Sequence, residues 1–400
     1  MKELTQEKES VRWGGVWAMS LCAMVLVASE FLPVSLLTPI ASDLQITEGY
    51  AGQTIAISGL FALVTSLFLT SLIGNIDRRR VLLFFTFITL LSGIIVAAAP
   101  NAGLMMIGRA LLGICIGGFW SMSTATSMRL VPEQSVPKAI ALLNGGVALS
   151  STVAAPLGSY LGGVIGWRGA FICIVPIAVI ALIWQRISLP KLPAATSIRD
   201  KKPILNVMKL LTKPVIAFGM ISVMLLFVGQ FSVFTYLRPF LETVTKVSTE
   251  MLSMILLTLG VAGLVGTFLI EHFMKERMYV TLIVMPILMM LTVILLLLFG
   301  SSVIAIFILI PVWGLISTAA PTAWWIWLSK TLPDEAEAGG GLMVAIMQLS
   351  VTLGAGVGGL IFDHSGFEKT FLFSAFILMA AAIIAFLTWR QSTFIAKIYK

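Results

Sequence analysis

Two ionisable residues stand inside long apolar stretches where water cannot reach them. Glu30 lies nine residues before Pro39, in the first such stretch. Arg109 lies eight residues after Asn101, in the fourth. At a helical rise of about 1.5 Å per residue, the two fall at a similar depth in the outer half of a membrane. A charge at that depth costs ~2.5 kcal/mol or more, so it is paired and functional as a rule. Glu30 can accept and release a proton, with Arg109 as its electrostatic partner, because a neighbouring cation and burial pull a carboxyl in opposite directions. The alternative is a static ion pair that fixes helix packing. No histidine competes as a proton carrier, since His272 and His364 lie at the ends of apolar stretches.

Aromatic and amide side chains on the same stretches could line a cavity around that pair. Phe119 and Trp120 follow Arg109 in the fourth; Gln230, Phe234 and Tyr236 are in the seventh; Trp313 and Trp324 are in the tenth. Asn144 is in the fifth and Gln348 in the eleventh. Rings that stack and amides that hydrogen-bond would suit a planar, polar solute. Trp327, Trp184 and Trp167 read instead as anchors at the membrane–water interface.

The elements that must position these residues are membrane-spanning helices. Of 400 residues, 58% are hydrophobic and 11% charged, with a mean hydropathy of +1.03. Soluble domains carry roughly a quarter charged residues. Breaks at charge clusters and at Pro, Gly and Asn predict spans near 14–38, 49–74, 80–99, 102–127, 138–164 and 168–187. A second set follows near 214–237, 250–271, 278–299, 302–329, 339–361 and 367–389. The charged start leads into an apolar run with no A-x-A-like cleavage site, which reads as an uncleaved first helix. Each of the three cysteines falls within a span, which argues against a disulfide frame or a metal cluster.

This all-α architecture divides into a first half over 1–187, a basic linker over 188–213 and a second half over 214–400. With both termini cytoplasmic, 21 of the 26 Lys and Arg fall on the inner side, against Arg168, Arg238, Lys246 and Lys369 outside. The net charge of +8 follows from this bias and calls for no nucleic-acid partner. A shift of 200 residues superposes Glu30-Phe31 on Gln230-Phe231 and Pro39 on Pro239. A shift of 201 superposes Gly113 on Gly314 and Pro132-Glu133 on Pro333-Asp334. The counterparts of Glu30 and Arg109, Gln230 and Ile310, do not titrate, so proton chemistry belongs to the first half. Parallel repeats with a site between them are a known transporter plan.

Glycine-rich stretches such as Gly113-x-x-x-Gly117 lie inside apolar spans and serve close helix packing rather than phosphate binding. No G-x-x-x-x-G-K-[ST] motif is present, which excludes a P-loop ATPase, and nothing repeats like a channel filter. A membrane enzyme would need clustered acids, His or Cys at a span end. The loop Asp77-Arg78-Arg79-Arg80 either clasps neighbouring helices or serves only as a topology signal.

These features together resemble the major facilitator superfamily over essentially the whole chain. The resemblance rests on the twelve spans, the Asp77–Arg80 loop, Arg109-x-x-x-Gly113 and Ala155-Pro156-x-Gly158. It is strongest to the twelve-span drug:proton antiporter branch. Glu30-Phe-Leu-Pro-Val-Ser-Leu-Leu-Thr-Pro39, Gly117-Gly-Phe-Trp120, Met128-Arg-Leu-Val-Pro132 and Gly166-Trp-Arg168 resemble the purine ribonucleoside efflux pumps of enteric bacteria. The resemblance implies export of purine nucleosides such as inosine and guanosine by a monomer in the bacterial inner membrane, driven by inward proton flow and using no cofactor. It ties Arg109 to proton coupling, and Pro156, Gly158, Asp77 and Arg78 to gating. Two departures qualify this. Ala155 replaces the first glycine of the antiporter motif, and the loop motif is shortened, with Gly74 one residue too close. A sugar, arabinose or chloramphenicol exporter is the alternative.

Overall fold

The computed structural model describes residues 12–193, 209–333 and 335–398. Within the expected linker, 194–208 lies outside the described residues, as do Lys2, Lys8 and Lys400 of the basic count. Every regular element among the described residues is helical. In chain order they are α1 (Trp13–Leu44), α2 (Glu48–Ile73), α3 (Arg78–Ala98), α4 (Ala102–Met128) and α5 (Val136–Ser188). Next come α6 (Pro214–Phe234), the short α7 (Leu237–Phe240), α8 (Thr249–Glu276) and α9 (Met278–Phe299). The chain ends with α10 (Val303–Ser317), α11 (Ala320–Thr331) and α12 (Ala336–Ile398). Among the described residues, ten stretches are long and apolar enough to cross a membrane, with α10 and α11 running together as one of them. Two of the ten, on α5 and α12, exceed 50 residues. Each of these turns at a glycine with left-handed backbone, Gly166 (φ 75°) and Gly366 (φ 77°), where a side chain would be strained. Rows of exposed Leu, Ile, Val and Phe along these helices make this a multi-pass membrane protein.

The internal repeat is written into the backbone. Thr47 caps α2 and, 201 residues later, Ser248 caps α8; Asn101 and Ser302 cap α4 and α10 at the same spacing. Gln45 and Lys246, again 201 apart, are the only non-glycine residues at positive φ among those described. Gly113 lets α4 approach the Ser58 carbonyl of α2 where a Cβ would sit, and Gly314 does the same to the Leu259 carbonyl of α8. Both partners of that contact repeat at 201. Packing repeats as well: α1 on α5, α2 on α4 and α3 on α5 match α6 on α12, α8 on α10 and α9 on α12.

The first and second halves of the chain meet through α2 with α12, α5 with α8, and α1 with α7. The side-chain links between them gather toward the face away from the start of α1, here the far face; the other is the terminal face. Asp363 of α12 accepts from the Thr47 hydroxyl at 2.6 Å and the Gly49 N–H at 2.8 Å, at the N-terminus of α2. Gln53 donates to the Gly356 carbonyl at 3.0 Å. Tyr236, expected as a cavity residue, is fully buried in this seal. Its hydroxyl donates to the Ala355 carbonyl at 2.7 Å and its ring stacks on Phe362 at 4.9 Å. Arg238, expected in an outer loop, is buried too, donating to the Ser35 carbonyl of α1 and to Glu242. The far face is therefore closed. Toward the terminal face the recorded ion pairs and loop links stay within one half, as with Lys213–Glu335 and Arg79–Arg186.

Candidate functional site

Proline dictates the geometry around Arg109. Pro33 has no N–H, so the carbonyl four residues earlier, that of Ser29, loses its helical donor. Arg109 supplies the replacement: Nη1 donates to Ser29 O at 2.6 Å, Nη2 to Glu30 O at 3.1 Å, and Nε to Thr54 O of α2 at 3.0 Å. The guanidinium is fully buried and spreads its charge over three carbonyl dipoles. The static ion pair weighed as the alternative is not made: no ion pair joins Arg109 to the Glu30 carboxylate among the described residues. Arg109 holds the helix that carries Glu30 rather than the carboxylate itself. In the second half Val233 stands where Pro33 would repeat, and Ile310 where Arg109 would. The freed carbonyl and the arginine that satisfies it are thus both absent there.

Pro39 repeats the device one and a half turns on. The carbonyl it frees is Ser35, the acceptor of Arg238. Gly158, beyond Pro156 on α5, sits against the Leu32 and Ser35 side chains, so the antiporter-like motif packs directly on the kinked part of α1. Arg78, the first residue of α3, donates to Gly74 O at 3.1 Å. Asp77 caps α3 and accepts from Leu192 N–H at 2.9 Å.

Glu30 is buried, with the Gln348 amide of α12 beside its carboxyl. The next residue, Phe31, stacks on Phe231 with ring centres 6.2 Å apart and planes 14° from parallel. Phe234 meets both rings edge-on, at 5.9 and 6.2 Å. Phe31 and Phe231 are exact counterparts under the 200-residue shift, so this stack lies where the two repeats face each other. The side-chain carbonyls of Gln230 and Gln348 are buried with no donor among the protein's own groups. A site of aromatic faces, unsatisfied amide oxygens and one carboxyl can bind a flat solute rich in N–H and O–H groups.

A family model described as the Major Facilitator Superfamily matches residues 19–346. The chain belongs to this superfamily. It is 52% identical over 384 residues to the transcription regulatory protein OpdE of Pseudomonas aeruginosa, covering 96% of each. It is 38% identical over 372 residues to the purine ribonucleoside efflux pump NepI of Shigella sonnei, covering 93% of each. The crystal structure of the nucleoside transporter NupG shares its fold, with a TM-score of 0.77, 12% identity, and coverage of 94% of this chain and 98% of that one. This superfamily member is a transporter rather than an enzyme.

Trp313 and Trp324 are fully buried in the core of the second half, Trp324 against Trp327 at 5.3 Å. Phe119 is buried in the core of the first half. Trp327, read as an interface anchor, is also core, and Trp167 is buried beside Arg168 and Asp43. The indole N–H groups of Trp313, Trp324 and Trp327 are buried with no acceptor among the protein's own groups. Trp120 is half-buried and Asn144 exposed. The sequence reading did not propose Phe31 as a site residue, although its repeat with Phe231 was the available signal. Pro33 is a second such residue, and its freed carbonyl becomes apparent only with the backbone in view.

Proposed function

We propose that this transporter exports purine nucleosides, or closely related planar solutes, in exchange for protons. It works by alternating access between two six-helix bundles. Counting each arm of α5 and α12 as a crossing gives twelve, with both termini on the cytoplasmic side of a bacterial inner membrane and a monomer as the working unit. The observation that carries the reading is the aromatic trio Phe31, Phe231 and Phe234 beside Glu30 and the unsatisfied amide oxygens of Gln230 and Gln348. A purine ring stacks on such faces, and its ring and amino N–H groups and ribose hydroxyls meet those acceptors. The similarity to the purine ribonucleoside efflux pump NepI supports the same substrate class. The solute reaches the site from the terminal face, and Glu30 takes a proton when the far face opens and releases it when that face closes.

Counterflow in proteoliposomes tests the reading. Inosine flux should respond to an imposed pH gradient, and Glu30→Gln should abolish gradient-driven transport while leaving inosine exchange in place. Flux of pentoses or drugs but not nucleosides would favour a sugar or drug exporter instead. The name of the OpdE relative raises a regulatory role. A strain in which expression changes persist with the Glu30→Gln chain, and which shows no solute flux with the native one, would favour that role.

A further inference from the structure

At the terminal face, the loop before α3 and the end of α5 enclose a cavity of about 650 Å³ that the solute site does not use. Its walls carry Arg79, Arg80, Arg186 and Lys191 against a single acid, Asp77. Asp77 is already engaged, its Oδ1 accepting the Arg79 and Leu192 backbone N–H groups at 2.9 Å each. None of the four cations pairs with a carboxylate among the described residues. Arg79 donates through Nη2 to the Arg186 carbonyl, while its Nε is buried with no acceptor among the protein's own groups. Four cations around one space, three of them exposed, repel one another, and the buried Arg79 Nε lacks an acceptor, a cost that an anionic oxygen relieves.

The surroundings select the kind of anion. On α3, Arg80 heads a helical stripe continued by Phe84 and Phe87, both exposed. On the second arm of α5, Ile183 and Ile187 are exposed just before the cavity wall. These rows are lipid-facing and run directly to the basic residues.

The geometry points to a binding site for the phosphate group of an anionic membrane phospholipid, gripped by Arg79, Arg80, Arg186 and Lys191. Its acyl chains lie along the exposed faces of α3 and α5. Guanidinium groups take phosphate oxygens in pairs, and basic pockets between helices at this depth suit anionic headgroups. A soluble phosphate offers the same oxygens but gains nothing from the apolar approach.

The test uses the purified full chain in detergent, with dioleoylphosphatidylglycerol, dioleoylphosphatidylcholine or inorganic phosphate added. Phosphatidylglycerol should raise the melting temperature and stay bound in native mass spectra; the other two should do neither. The combined Arg80→Gln, Arg186→Gln and Lys191→Gln variant should weaken phosphatidylglycerol binding roughly tenfold or more. Equal retention of phosphatidylcholine would overturn the site, and equal stabilisation by inorganic phosphate would overturn the lipid assignment. On the native chain, a photoactivatable phosphatidylglycerol should crosslink within 75–83 and 183–191. Crosslinks found only elsewhere would overturn the proposal without relying on any variant.

Discussion

Arg109 satisfies three backbone oxygens from two helices, a task lysine cannot take over, because a point charge on a flexible stem does not span them. Each hydrogen bond to a charged group contributes ~1.5–3 kcal/mol, and a carbonyl left buried and unpaired is penalised. Arg109→Lys should therefore lower the melting temperature measurably and remove most inosine flux. Pro33→Ala supplies no acceptor but restores the helical donor to Ser29. Its thermodynamic effect should depend on residue 109. In a double-mutant cycle followed by thermal melting, the two changes should be non-additive by ~1 kcal/mol or more; strict additivity would separate the proline from the arginine. The acid and the base were legible in the sequence because charge inside an apolar span stands out at once. Their relation was not. Composition suggests that opposite charges meet, and only the backbone consequence of Pro33 explains why the guanidinium turns to carbonyls.

At the scale of elements, the far-face seal joins a carboxylate to a helix end. Asp363 accepts from the first-turn N–H and the capping hydroxyl of α2, where the helix dipole favours negative charge by ~0.3–1 kcal/mol, and up to ~2 kcal/mol when partly buried. Asp363→Asn should loosen the seal. Ala56, buried against Gly356 on the cross-half contact, reports it. A cysteine at position 56, in a Cys173→Ser background, should label slowly with a far-side maleimide and several-fold faster when Asp363→Asn is added. Span positions were readable from apolar runs, charge clusters and Pro, Gly and Asn punctuation. Which wall each aromatic faces was not, since Trp313 and Trp324 fill a core with the same chemistry that lines a cavity.

For the whole molecule, two repeats closed at one face imply a partner state closed at the other. Gly163 of α5 and Thr249 of α8 offer a way to hold the present state: a Cβ on Gly163 would lie 3.7 Å from the Thr249 Cβ, inside the range of about 3.5–4.5 Å that a disulfide needs. The Gly163→Cys, Thr249→Cys pair should crosslink under mild oxidation and stop inosine flux, with recovery on reduction. Undiminished flux in the fully crosslinked protein would mean that the halves do not separate there. The duplication was visible as a few matched positions at shifts of 200 and 201. Its extent emerges only from conformations, since Gln45 and Lys246 share a left-handed backbone without sharing chemistry.

The grip of Arg238 on the Ser35 carbonyl bears on solvent. When the far face parts, that oxygen, orphaned by Pro39, loses the Arg238 donor, and the Asp363 carboxylate leaves the α2 terminus. Pro39 gives the Ser35 carbonyl no helical donor to return to, so water must enter with the opening. Turnover at that step is then a hydration event. Osmolytes too large to enter the parting cleft should slow it as they lower water activity, while leaving binding from the terminal face unchanged.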